Sequence, residues 1–162
     1  HATVKALAEL RASADAGTLM TRADKIALRV DGARLLHLNN YLTFKDAIIG
    51  RLLIAAGQSD KARQRLEMAL GHAEDTGMHF YDAELLRVRA HTFTDPSKRS
   101  NALASALEFA RHQGATLFEL RCLLNYFDLT ADGDRSQLAD AVDRFGGDAR
   151  WPEVTRAHEI LS

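Results

Sequence analysis

Apolar residues along this chain recur at steps of three and four, with almost no stretch in which apolar and polar positions alternate. That spacing gathers them on one side of an α-helix, so helices are expected nearly everywhere and strands almost nowhere. Ala62, Leu66, Ala69, Leu70 and Ala73 form one such stripe, on a helix that Ser59 is expected to cap and Gly77 to end. A further helix is expected from about Phe80 to Phe93. Asp95-Pro96 then supplies an N-cap and a proline at the first helical position, and Leu103, Ala106, Leu107 and Ala110 carry the next stripe up to Gly114. Thr116 and Glu119 stand at capping-box spacing for a helix reaching about Leu129. Asp134 and Gln137 open another that ends near Gly146-Gly147, and Pro152 starts a short last one. Upstream, helices near residues 3–15, 18–31 and 34–56 bring the count to about nine. Short links between them give the layout of stacked helical hairpins.

The segment from Ala73 to Leu86 returns as Ala110 to Leu123, with Gly77 and Gly114 standing 37 residues apart. An aromatic follows each glycine at the same distance, Tyr81 and Phe118. The same shift carries Leu66, Ala69 and Leu70 onto Leu103, Ala106 and Leu107. A fixed period of this size marks helix-pair solenoids, because a lone hairpin cannot bury its apolar face and neighbours must stack to do so.

The run Ile49-Gly50-x-x-Leu53-x-x-x-Gly57-x-x-x-x-Ala62-x-x-x-Leu66-x-x-Ala69 resembles a tetratricopeptide repeat, with small residues where two helices touch and large ones filling the groove. The stretches Ala73 to Leu86 and Ala110 to Leu124, with Ala141-Val-Asp-Arg-Phe145 and Ala157-His-Glu-Ile-Leu161, resemble the C-terminal helical region of large bacterial signalling ATPases and transcriptional regulators. That region is also found attached to adenylate cyclase domains. The resemblance covers residues 40–162. It implies an all-α fold, a helical-hairpin repeat of tetratricopeptide type wound into a right-handed superhelix. A single domain over 1–162 is expected, with irregular helices in 1–33, a repeat core over 34–130 and capping helices over 134–162, as a fragment of a larger protein. The implied role is a non-enzymatic regulatory module that binds a protein or peptide partner, other domains of the same regulator, or a small effector. One position departs from the repeat: Arg99 stands where the pattern has the small Ala62.

Composition narrows the function classes. With 46% apolar and 27% charged residues and no apolar run near the ~20 that a bilayer demands, no membrane segment is expected. A formal charge of −1, both signs interleaved, lacks the basic excess of phosphate-backbone binders, so no direct nucleic-acid contact is expected. The single cysteine excludes an internal disulfide and a thiolate metal cage, and fits a reducing, cytoplasmic setting. No phosphate-binding loop of the Gly-x-x-x-x-Gly-Lys-Ser/Thr type occurs, and no lysine or serine follows Gly146-Gly147. Cys122 falls in register with Leu85 and is expected in the core. Gly77 separates His72 and Glu74 from His79, which removes the one-face geometry of a metal pair, and Asp128 and Asp132 read as solvated charge. No cofactor, metal or catalytic residue is expected.

An alternative rests on residues 21–41, which resemble a helix-turn-helix of tetracycline-repressor type and would make this a small DNA-binding transcriptional regulator. Against it, Leu35 and Leu36 stand where a recognition helix presents polar groups to base edges.

In a tetratricopeptide-like stack the first helix of each hairpin lines the concave wall. Counting from Gly50 and an assumed counterpart at Ala90 places Phe44, Arg51, Arg87 and His91 on that wall, with Arg121 on the next such helix. Planar guanidinium groups beside an aromatic suit a carboxylate-bearing partner.

Overall fold

The computed structural model describes residues 32–129, 133–147 and 149–162; of residues 32–40 and 129 only the backbone is described. Seven helices follow one another: α1 Gly32–Ala55, α2 Ser59–Thr76, α3 Asp82–Ala90, α4 Pro96–His112, α5 Thr116–Leu129, α6 Arg135–Asp143 and α7 Pro152–Leu161. There is no strand among the described residues. The helices expected near 3–15 and 18–31, and most of the helix-turn-helix candidate, lie outside them.

Each helix packs on the next in the chain. In addition α1 touches α3, α3 touches α5 and α5 touches α7, so the odd-numbered helices form a row. The helices expected near 34–56, 79–93 and 116–130 are therefore neighbours in sequence order. α1, α2 and α4 end in the same way. Gly57, Gly77 and Gly114 adopt φ of 73°, 68° and 65°, a left-handed conformation that costs glycine little. The next amide in each case reaches back to the last turn: Gln58 to Leu53, Met78 to Ala73 and Ala115 to Ala110, at 2.8, 3.0 and 2.9 Å.

Helix starts match expectation at two places. The carboxylates of Asp95 and Asp134 accept from the backbone N–H groups two and three residues ahead, with Pro96 at the first helical position of α4. Two expected caps do not form. Ser59 lies inside α2, and Gln58 before it makes no side-chain cap bond. The closure that ends α1 already uses the Gln58 amide, so the turn fixes where α2 begins. Glu119 does not reach back to Thr116, because its carboxylate is taken by Arg111 and Arg144 at 2.9 and 2.6 Å. α3 is shorter than the expected 80–93, ending in a tightened turn at His91 to Phe93.

Ala62, Leu66, Ala69 and Ala73 are buried on α2, as are Leu103, Ala106, Leu107 and Ala110 on α4. One core cluster joins Ala47, Leu66, Ala69, Leu85 and Val88, and a larger one runs from Ala106 through Leu120 and Cys122 to Leu138 and Ala157. Arg99, out of place by repeat, folds back so that its Nε and Nη2 donate to the Phe93 carbonyl at 3.0 and 2.7 Å. A carbonyl left open by the short link before α4 is thereby satisfied. No described helix is long and apolar enough to cross a membrane.

A candidate arginine notch on the odd-numbered helices

Phe44, Tyr81 and Phe118 stand on α1, just before α3, and on α5, each 37 residues from the next. Their rings meet: Phe44 to Tyr81 at 5.5 Å and Tyr81 to Phe118 at 5.8 Å between centroids. Tilted contacts of this kind are favoured by the ring quadrupoles. Phe80 adds an edge-on contact to Tyr81 at 5.0 Å, and both Phe44 and Phe80 remain largely exposed. An aromatic row thus crosses the odd-numbered helices. Arg121 lies over its last ring, 6.0 Å from the Phe118 centroid.

Beside the row is a notch of about 270 Å³ lined by Arg51, Arg87, Arg121 and Arg156, with Asn125 and Glu153 between them. Its floor is an ion pair. Arg87 Nε and Nη2 donate to Glu84 Oε2 and Oε1 at 2.8 and 2.7 Å, and both side chains are buried. The remaining Arg87 nitrogen, Nη1, donates to Asn125 Oδ1 at 2.6 Å, and His91 Nε2 donates to the same oxygen at 2.9 Å. Asn125 Nδ2 then donates to Asp128 Oδ2 at 3.2 Å, and Asp128 pairs with Arg156 of α7. On the other side Arg121 Nε donates to Glu153 Oε1 at 2.7 Å, while its Nη1 lies 3.5 Å from Glu84 Oε1.

The charges set the protonation states. Burial pushes the Glu84 carboxyl up, but the hydrogen bonds and charge of Arg87, with the charges of Arg121 and Arg51, outweigh it and hold the group below the ordinary carboxylate range. Burial pushes the His91 imidazole down, and the Arg87 and Arg99 cations add to this against the Asn125 hydrogen bond. Neutral His91 at pH 7 fits its role as a donor to Asn125. Burial pushes the Cys122 thiol up to about 12, so it is no nucleophile. Among the described residues no group of three or more His, Cys, Asp or Glu side chains could hold a metal ion.

No family model, curated protein or solved structure matches this chain.

Of the five residues expected on the wall, Arg51, Arg87 and Arg121 line one notch, His91 joins it through Asn125, and Phe44 belongs to the aromatic row. Their roles differ from the expectation in one respect. The ring contacts follow a spacing of 37, which aligns Gly50 with Arg87 and Leu124 rather than with Ala90. All three of those positions are buried. Arg87 therefore points inward, its guanidinium spent on Glu84 and Asn125, and cannot be a free hand for a partner. Arg51 is the opposite. It is exposed and makes no hydrogen bond or ion pair among the described residues.

Sequence reasoning passed over Glu84, Asn125, Glu153 and Arg156. A signal for the first existed. Glu84 and Arg87 are three apart on one helix, and the 37-residue shift carries Glu84 onto Arg121, its second cationic neighbour. Glu153 and Arg156 lie on α7, outside the repeating part, where no period points to them.

Proposed function

We propose that this chain is a non-enzymatic binding module of tetratricopeptide type, the sensor or partner-docking part of a larger cytoplasmic bacterial regulator, and that it holds an acidic protein or peptide against the odd-numbered helices. The observation that carries this reading is Arg51, a cation with no ion pair among the described residues, at the rim of a notch in which three more guanidinium groups converge beside an aromatic row. Contact between successive odd helices, without contact of the same extent along the even ones, supports the odd row as the concave wall of such a stack. Four arginines face three carboxylates there, Glu84, Glu153 and Asp128, which leaves one positive charge for an incoming carboxylate. The exposed Phe44, Ile48 and Leu52 continue along α1 from the same region, so apolar side chains next to the acid complete the recognition.

The test is titration of a fluorescein-labelled peptide of six glutamates around one phenylalanine, followed by anisotropy. Binding should weaken as salt rises and fall at least tenfold, about 1.4 kcal/mol, in Arg51→Ala, whose melting temperature stays at that of the parent. Equal binding of a lysine-for-glutamate peptide, or no loss in Arg51→Ala, would overturn the assignment.

A further inference from the structure

The two carboxylates that face Arg121 are held very differently. Glu84 has 6% of its side chain exposed, lies beneath the notch, and has both oxygens bound by Arg87. Glu153 is at the mouth, with 19% of its side chain exposed against 26% for Arg121, and a single guanidinium contact holds it. It also stands in the first turn of α7, as its second residue, directly after Pro152. A carboxylate in that place is favoured by the helix N-terminus whether or not it touches Arg121. Letting go of Arg121 therefore leaves Glu153 with a second source of stabilisation at the mouth of the notch, whereas Glu84, also in the first turn of its helix, stays fixed beneath it with both oxygens on Arg87. Since Glu84 is already neutralised by Arg87, release of Glu153 returns the full charge of Arg121 to the notch. The local excess then rises from one cation to two.

We infer that Glu153 is an internal stand-in for the partner's acidic group: an incoming carboxylate takes Arg121 Nε from Glu153, and the first turn of α7 moves off α5 as it does. Resting on the proposed function above, this adds a regulation to the same site. The notch is self-occupied at rest, and its occupancy is coupled to the helix that ends the described stack. Trp151, the only tryptophan of the chain, is the N-cap residue of α7 and is half exposed, so its emission reports the movement.

The experiment uses the same glutamate peptide with four proteins: parent, Glu153→Gln, Arg121→Ala and the double variant. Glu153→Gln should bind about fivefold more tightly than the parent, the worth of a partly exposed ion pair that no longer competes. Its Trp151 emission without peptide should match that of the saturated parent. In the Arg121→Ala background the same Glu153 change should leave affinity unaltered, because no guanidinium remains to compete for. Equal or weaker binding by Glu153→Gln, with Arg51→Ala still impaired, overturns the inference and leaves the proposed function standing. Tightening of the same size in the Arg121→Ala background also overturns it, by showing that loosened packing of α7 is the cause. Absence of peptide binding by both the parent and Glu153→Gln overturns the proposed function and the inference together.

Discussion

Arg87 grips both oxygens of Glu84 at 2.7 and 2.8 Å, three residues apart on α3, and both side chains are withdrawn from solvent. A buried pair of this kind is costly to break from one side, because the remaining charge keeps its desolvation cost and loses its partner. Arg87→Met should therefore lower stability by about 3–5 kcal/mol in urea unfolding, whereas replacing both residues by leucine should recover most of the loss. A single variant as stable as the parent would mean that Glu84 finds full compensation in Arg121.

Acid should act on the same network. Glu84, Glu119 and Glu153 all have folded-state values below the ordinary carboxylate range: burial raises each, and arginine contacts outweigh it. Groups shifted down contribute stability that is present above the unfolded value, about 4.3 for glutamate, and is lost as pH falls through their folded values. Asp82 has the opposite sign. Burial and the charge of Glu74 raise it against the hydrogen bond and charge of His79, and its Oδ1 is buried without a hydrogen-bond partner among the described residues. Asp82→Asn should raise the urea midpoint at pH 7, by a margin that shrinks toward pH 3 as the parent aspartate takes up its own proton. A margin that is constant with pH would show that the aspartate is not strained by its charge.

Two glycines inside helices should respond to alanine in opposite directions. At Gly50 of α1 an added Cβ would stand 2.9 Å from Leu66 Cδ2 and 3.1 Å from Cδ1, and Leu66 is fully buried. Overpacking there should cost about 1–3 kcal/mol. At Gly71 of α2 nothing lies within 4 Å, so Gly71→Ala should gain about 0.5–1 kcal/mol from helix propensity. Thermal melts of the two variants, shifted down and up respectively, check this. Two shifts of the same sign would contradict it.

Ala69 and Ala106 occupy equivalent buried positions on α2 and α4. Leucine at either should overpack a helix contact by about 1–3 kcal/mol. Unchanged melting temperatures would remove these alanines from the contact.

Cys122 is fully buried and its thiol is pushed up to about 12. Reaction with a disulfide reagent at pH 8 should proceed only at the rate of unfolding, and urea should accelerate it by orders of magnitude. Rapid labelling of the native protein would place the thiol at the surface.

The sequence by itself determined the helices that the described residues show. Period-3.6 stripes, glycines at Gly57, Gly77 and Gly114, and aspartate caps at Asp95 and Asp134 are local signals, settled by backbone geometry within a turn or two. Its 37-residue recurrence also leads to the expectation that α1, α3 and α5 are neighbours, and they are in contact in that order. What only the tertiary structure decided is where each wall side chain points and what already holds it. Arg51 and Arg87 read alike in sequence, yet one is exposed, with no ion pair among the described residues, while the other is locked beneath the notch. The difference comes from the partners that packing brings to Arg87, Asn125 of α5 among them, which no local pattern records. Glu153 and Arg156 come to the notch only because α7 folds back on α5, a long-range contact set by packing rather than by any spacing along the chain.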